Sequence, residues 1–256
     1  MSARRLLAPA AVVVAFLGIW ELYVDLGGVS SLVLPAPHAI ASTLYTDRGV
    51  LWSNFLVTAE EVLLGIVAGI AVALILAVGI HFSQTLRRAV YPLLIASQAI
   101  PIVLLAPVLT VWLGFALLPK LAIVALVVFF PVVVTTLAAL ETVDPDLLKL
   151  LATFDASRAQ TFRRVELPAA LPGVFTGAKL AAVFSVIGAM LAEQSGSGSG
   201  LGYLFTIADG QFLEAEAFAA VAIASAFAIA MFAILAFAER RALPWAYSTS
   251  KGIEHG

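Results

Sequence analysis

Few side chains in this 256-residue chain have the types and spacing that catalysis requires. The run from Ser195 to Gly202 alternates serine and glycine over most of its length, a composition also found in phosphate-binding loops and around serine nucleophiles. It lacks the lysine of a phosphate-binding loop, and Gly198 occupies the position where a nucleophile elbow places serine. The run therefore predicts a flexible external turn rather than an active site.

The histidines are too dispersed to form a metal site. His38 follows the first apolar segment, His81 lies at the inner end of the second, and His255 lies in the C-terminal tail. A metal ion needs several ligands that converge on one point, so we expect three separate surface histidines. The chain has no cysteine, which excludes disulfides and thiolate metal sites.

Two charged residues within apolar stretches are candidates for a transport pathway, because ionisable groups at membrane depth usually face a cavity. Lys179 either extends its stem to the inner membrane surface or supplies a cation beside the pathway. Glu193, followed by Gln194 at the outer end of the same stretch, belongs either to a helix interface or to an outer gate.

Composition identifies the elements that must position these residues. The chain is 62% hydrophobic and 12% charged, and its mean hydropathy of +1.06 is spread along the whole length. Soluble domains carry about 25% charged residues, so this composition indicates a polytopic membrane protein. The net charge of −2 provides no basic surface for nucleic acid.

Uncharged runs of the length needed to cross a bilayer predict an all-α bundle of about six spans that forms a single domain over residues 1–256. The predicted spans are 6–26, 62–81, 89–115, 120–140, 174–194 and 217–238. Arg4 and Arg5 before the first run would also suit a cleaved secretory signal. No clear small-residue cleavage site follows them, so we expect the first span to be retained.

Lysine and arginine determine the predicted orientation, because short loops rich in these residues stay in the cytoplasm. With the N-terminus inside, all but two of the 14 basic residues lie on or near the cytoplasmic face. The two exceptions are Arg48 and Lys120. The sequence therefore predicts that both termini are cytoplasmic.

The uncharged stretch from Ala89 to Pro119 is too long for one straight span and contains Pro92, Pro101 and Pro107. Each proline removes a backbone donor and opposes a straight helix. One interpretation is a kinked helix beside the transport pathway, with Pro101 and Pro107 near the solute. The other is an ordinary tilted span whose prolines only shape its packing.

The cytoplasmic segment 144–172 contains a predicted short amphipathic helix. Asp144-Pro145-Asp146 is a typical helix start, with a cap, a proline in the first turn and an acidic residue at the positive end of the dipole. An apolar stripe at three-to-four spacing follows, formed by Leu147, Leu150 or Leu151, Phe154 and Arg158. Leu167-Pro168 and Leu171-Pro172-Gly173 are expected to end regular structure before the next span. The helix could lie on the membrane surface or dock a partner.

The second half of this segment resembles a known signature. Asp155-Ala156-Ser157 and the stretch from Phe162 to Gly173 are similar to the cytoplasmic loop of permease subunits in binding-protein-dependent ABC importers. That loop is summarised as E-A-A, three residues, G, nine residues, I-x-L-P. Its end aligns with Val165-x-Leu167-Pro168, which places Asp155 at the glycine and Lys149-Leu150-Leu151 at the E-A-A triplet.

Other motifs, within roughly residues 30 to 240, are similar to the nitrate, sulfonate and taurine branch of that superfamily, which includes permeases for thiamine-pyrimidine precursors. They are Leu34-Pro35-Ala36-Pro37, Pro101, Ala106-Pro107, Trp112-Leu113-Gly114-Phe115, Lys120, Phe129-Phe130-Pro131 and Gly200-Leu201-Gly202-Tyr203.

The resemblance implies a multi-pass subunit of the bacterial inner membrane that is not itself an enzyme. Its expected partners are a second permease subunit, two cytoplasmic ATPase subunits that bind ATP and Mg, and an external solute-binding protein. No cofactor is expected on this chain. The residues implied in ATPase docking are Leu147, Leu151, Phe154, Asp155, Ala156, Ser157, Arg158, Phe162, Arg163, Arg164, Leu167 and Pro168.

Two questions remain open at this stage. A secondary transporter that works alone is the alternative function, although the chain lacks a visible inverted repeat and most charges lie at helix ends. The solute could be a sulfonate such as taurine, nitrate, bicarbonate or a pyrimidine vitamin precursor.

Overall fold

The computed structural model describes the backbone of residues 3–248 and the side chains of residues 7–246, so the prediction for His255 lies outside the described residues. All regular elements within this range are helical, which confirms the predicted all-α class. The helices are α1 Ala3–Gly27, α2 Pro37–Thr46, α3 Arg48–Phe82, α4 Gln84–Ser97, α5 Ile102–Leu113, α6 Leu117–Glu141, α7 Pro145–Thr153, α8 Arg158–Thr161, α9 Leu167–Gln194, α10 Leu201–Gly210, α11 Glu214–Ala242 and α12 Pro244–Ser248. A π-helical turn, Phe162–Glu166, joins α8 to α9.

Five segments are long and apolar enough to cross a bilayer, and α4 with α5 gives a sixth if the pair is one span. The five are Leu7–Gly27, Arg48–Phe82, Leu117–Glu141, Arg158–Gln194 and Glu214–Ala242. The second span is longer than the predicted 62–81. The charge of Glu61 made the predicted span begin only at residue 62. In the structure Glu61 forms an ion pair with Lys120, so α3 can continue through it.

The third predicted span, 89–115, corresponds to the bent pair of helices α4 and α5. The chain breaks between Ser97 and Ile102, and the axes of α4 and α5 meet at 101°. Pro101 has no amide hydrogen and disfavours a helical conformation in the residue before it, so the helix ends ahead of it and a new one begins after it. Pro107 remains inside α5.

The prolines after the cytoplasmic segment do not end regular structure, contrary to the sequence prediction. Pro168 lies in the first turn of α9, directly after the π-helical turn. Pro172 lies inside the same helix and removes only one such bond. As a result, the π-helical turn and α9 carry the chain without interruption from the cytoplasmic segment to Gln194.

Helix α6 lies at the centre of the bundle and packs against α3 on one side and α9 on the other. Glycines on α3 and α9 allow both helices to pack closely against α6. A Cβ atom on Gly65 would lie 2.4 Å from Cγ1 of Val124, and one on Gly177 would lie 2.2 Å from Oγ1 of Thr135. Close packing of this kind replaces the missing hydrophobic drive between helices in lipid.

Candidate functional site

Helix α7 begins as the sequence predicts. The backbone amide of Asp146 donates to the Asp144 side chain at 2.8 Å, and Pro145 occupies the first turn. Three apolar side chains of this segment are exposed: Leu147 by 41%, Leu150 by 53% and Phe154 by 74%. Within the described chain, this face of the short helix is not covered by another element.

The turn after α7 has the conformation that glycine favours, although Asp155 occupies it. Asp155 has φ of 53°, in the left-handed region. Its amide donates to the Ala152 carbonyl at 3.2 Å, and the Ala156 amide donates to the Leu151 carbonyl at 3.3 Å. These two bonds form a Schellman motif, which closes the helix end. Aspartate is among the few non-glycine residues that tolerate this region.

Helix α8 begins with a reciprocal cap. The Gln160 amide donates to the Ser157 hydroxyl, and the Ser157 amide donates to the Gln160 side chain at 2.9 Å. The predicted stripe that continued from Phe154 to Arg158 on one helix is therefore wrong. The Schellman turn separates the two residues, and Arg158 belongs to a different helix.

Arg158 and Phe162 contact the end of α3. The Arg158 guanidinium lies 5.3 Å from the centre of the Phe82 ring and donates to the His81 carbonyl at 3.4 Å. The Phe162 ring lies 5.0 Å from the Phe82 ring. The neighbouring Arg163 and Arg164 side chains are exposed. Of the three predicted edge arginines, two are exposed, and Arg158 joins the segment after α7 to the end of α3.

The prediction of surface histidines is correct for His38 and wrong for His81. His38 is exposed and forms an ion pair with Glu21, and its backbone amide donates to the same carboxylate. His81 is mostly buried, and its Nε2 lies 3.0 Å from the Glu166 carboxylate. Hydrogen bonding to the Glu21 carboxylate raises the pKa of His38 above its ordinary value of 6.5.

A buried polar cluster lies near the N-terminal end of α3 and the C-terminal end of α9. The Glu193 side chain accepts a hydrogen bond from the Thr58 hydroxyl at 2.6 Å and another from the Gly202 amide. The Leu201 amide donates to the Thr58 hydroxyl at 2.8 Å, and the Gly200 amide donates to Asn54 at 2.7 Å. The Glu193 side chain thus lies at the N-terminus of α10 and accepts from a backbone amide of its first turn.

Two glycines allow the N-terminus of α10 to lie close to the end of α9. A Cβ atom on Gly200 would lie 2.2 Å from the Glu193 carboxyl carbon, and one on Gly202 would lie 2.3 Å from the Met190 carbonyl oxygen. The end of the serine and glycine run is therefore a turn fixed by hydrogen bonds. The expectation of a flexible turn was wrong here because its amides find partners on a helix far away in sequence.

Both lysines within the bundle have acidic partners. Lys120 Nζ lies 2.6 Å from Glu61 Oε1, and Lys179 Nζ lies 2.6 Å from Glu239 Oε2. The two pairs are largely buried. Lys179 therefore neither reaches the membrane surface nor presents an unpaired cation to a solute, which corrects both interpretations. Lys120 lies within the protein instead of in an external loop.

A cavity of about 810 Å³ opens at the break between α4 and α5. Pro101 lines it, together with residues of α6 and α9. Pro107, Lys179, Glu193 and Gln194, the other predicted pathway residues, do not. Glu193 belongs to the buried polar cluster, and Gln194 is exposed.

Glu61 and Glu239 were not predicted as partners of the lysines, and Asn54 and Thr58 were not predicted as partners of the serine and glycine run. Glu61 was visible as a charge next to an apolar run, but Lys120 is 59 residues away in the chain. Thr58 and Glu193 are 135 residues apart. Only the tertiary packing identifies these pairs.

These features define a class: a multi-span membrane protein with an uncovered short helix, a cavity at a broken helix and buried ion pairs. A family model, the inner membrane component of binding-protein-dependent transport systems, matches residues 65–243. The chain belongs to this family. It is a multi-pass inner membrane protein and the permease subunit of an ABC importer, not an enzyme.

Curated relatives cover nearly the whole chain. It is 35% identical to a probable ABC transporter permease protein of Haemophilus influenzae, over 86% of this chain and 89% of that one. It is 32% identical to the formylaminopyrimidine transport permease protein ThiX of Halalkalibacterium halodurans, over 93% and 96%. It is 25% identical to the taurine transport system permease protein TauC of Escherichia coli, over 94% and 90%.

Family membership decides between the two functions left open by the sequence. A binding-protein-dependent system takes its solute from a binding protein and its energy from an ATPase, so a stand-alone secondary transporter is excluded.

Proposed function

We propose that the chain is one of two identical permease subunits, each a single transmembrane domain over residues 1–256, and that α7 docks onto a partner ATPase. The ATPase binds ATP and Mg, and no cofactor is bound by this chain. The proposal rests most on one observation: Leu147, Leu150 and Phe154 form an exposed apolar face on a helix that is capped at both ends.

Charge and turn geometry support the docking role. In this proposal Leu147, Leu150 and Phe154 fill a groove in the ATPase, with the half-buried Leu151 beside them. Arg163 and Arg164 make polar contacts at the edge of the groove. Asp155, Ala156 and Ser157 form the turn that sets the angle of the exposed face. Burying an apolar helix face in a hydrophobic groove is a common mode of recognition between proteins.

A continuous path supports transmission of force. The segment from Arg158 to Gln194 passes through the π-helical turn, Leu167 and Pro168 without a break in helical structure. Its inner end is joined to α3 by Arg158 and Phe162, and its outer end by Glu193. Movement of α7 on closure of the ATPase dimer would shift this helix as one body and alternate the access of the cavity.

The proposed orientation places both termini in the cytoplasm. It is supported by the distribution of basic residues, of which only Arg48 and Lys120 fall on the outer side. In this orientation α7 faces the ATPase, and the polar cluster around Glu193 lies towards the external binding protein.

The proposed solute is a small molecule delivered by that protein. Relatives are named for formylaminopyrimidine and taurine, so a pyrimidine vitamin precursor and a sulfonate are the leading candidates.

The docking proposal is tested with Phe154→Glu in the assembled complex. A carboxylate cannot be buried in an apolar groove without a large cost, so we expect the ATPase to be lost on detergent purification while the permease still inserts in the membrane. The matched control is Phe212→Glu, because Phe212 is similarly exposed, at 68%, and also follows a helix end. Undiminished co-purification with Phe154→Glu would overturn the docking role.

A further inference from the structure

The cavity at the break between α4 and α5 carries information about the solute. Its wall combines two phenylalanine rings, Phe130 and Phe184, with aliphatic side chains from α5, α6 and α9. A volume of about 810 Å³ falls in the range of small-molecule sites. Its wall contains no Asp, Glu, Lys or Arg side chain.

The lysines elsewhere in the bundle cannot compensate for a buried anion. Lys120 and Lys179 are the two lysines within the membrane-spanning segments, and each lies 2.6 Å from a glutamate oxygen. Recruiting either one to an anion in the cavity would leave a buried carboxylate unpaired, which is strongly unfavourable. A sulfonate or nitrate would therefore enter this cavity without a counter-charge.

The polar groups that do face the cavity are neutral. Gln98 is exposed, and its amide makes one long contact of 3.5 Å with the Ser97 hydroxyl, which leaves it available to donate and accept. Pro131 removes the usual helical donor from the Val127 carbonyl, and both residues line the cavity. Ile102, in the first turn of α5, contributes a backbone amide hydrogen at the same place.

We propose that this cavity is the part of the pathway contributed by this subunit, and that it accommodates an uncharged planar ring with donor and acceptor edges in preference to an anion. The inference rests on the proposed function and specifies its solute class. Aromatic rings supply stacking surfaces, and the amide, carbonyl and amide hydrogen supply dipoles without charge.

The absence of cysteine from the sequence makes a direct test possible. Gln98→Cys in the full complex is solubilised in detergent and treated with two thiol reagents of similar size. One is neutral 2-hydroxyethyl methanethiosulfonate, and the other is anionic 2-sulfonatoethyl methanethiosulfonate. Ser53→Cys, on the exposed face of α3 and outside the cavity, provides the reference ratio of labelling rates.

We expect the ratio of neutral to anionic labelling at position 98 to exceed the reference by roughly tenfold or more, because the anion enters without a partner. Ser97→Cys, a nearly isosteric change in the same wall, should give the same preference. Equal ratios, a preference for the sulfonate, or failure of both reagents to label position 98 would each overturn the inference. Labelling requires neither ATP nor an attached ATPase. A result that overturns the solute class is therefore distinguishable from a result that overturns the docking role.

Discussion

Glu193 on α9 and Thr58 on α3 are joined by a buried hydrogen bond of 2.6 Å between side chains 135 residues apart in the sequence. The same carboxylate accepts from the Gly202 amide, so one side chain joins α3, α9 and α10. The C-terminal end of α9 is thereby fixed to two neighbouring helices.

We predict that Glu193→Ala destabilises the permease, because it leaves the Thr58 hydroxyl and the Gly202 amide without their acceptor. Leaving a buried donor without its acceptor costs about 1 to 3 kcal/mol. The midpoint temperature of thermal unfolding in detergent should fall by several degrees. Gln194→Ala, at the exposed neighbouring residue, should change the midpoint little. Equal midpoints for the two variants would contradict the assigned role of Glu193.

Two glycines in α3 should respond in opposite ways to alanine. Gly65→Ala places a Cβ atom 2.4 Å from Val124 and should destabilise the contact with α6 by roughly 1 to 3 kcal/mol. Gly49→Ala meets nothing within 4 Å and should stabilise the helix by about 0.5 to 1 kcal/mol. The midpoint temperatures of thermal unfolding of the two variants test these surroundings of Gly65 and Gly49. A loss of stability with Gly49→Ala would be inconsistent with the open space beside Gly49.

Replacing Asp155 in the turn after α7 by glycine should stabilise the protein. Asp155 has a positive φ, which costs a residue with a Cβ atom about 1 kcal/mol relative to glycine. Asp155→Gly should therefore stabilise the turn and preserve co-purification of the ATPase. Asp155→Val should destabilise it and weaken docking, since β-branched residues rarely adopt this conformation. Weaker docking with glycine than with valine would show that the turn has another geometry.

The contact between α1 and α2 should depend on pH. The Glu21 carboxylate raises the pKa of His38, so the protonated imidazole is favoured in the folded protein. The stabilisation is then complete below the ordinary pKa of 6.5 and is lost as pH rises through the higher folded value. Titration of His38 by NMR should show a lower pKa in Glu21→Gln. An unchanged pKa in that variant would exclude the contact.

Local chemistry explains which parts of the fold were predictable. The start of α7 follows from Asp144, Pro145 and Asp146, three adjacent residues whose roles depend only on each other. The number and approximate position of the spans follow from apolar runs. The break at Pro101 was signalled, but the angle of 101° was not, because neighbouring helices determine how a broken helix continues.

The rest depended on contacts between distant residues. Lys179 and Glu239 are 60 residues apart, so the sequence did not identify them as a pair. The lysine was predicted either to reach the membrane surface or to lie beside the pathway, and in the structure it forms a buried ion pair instead. Pro168 and Pro172 were expected to end regular structure because proline usually does. Here one lies in a first turn, and the other is tolerated inside a long helix.

We propose that this subunit cannot power transport by itself and takes its energy through α7. The most direct measurement is uptake into proteoliposomes with ATP in the compartment that α7 faces, using a neutral aminopyrimidine and taurine as labelled probes. The complete complex with its ATPase and binding protein should accumulate one probe against a gradient, and the same complex with Phe154→Glu should not. Uphill accumulation by vesicles that contain only this chain would contradict the account.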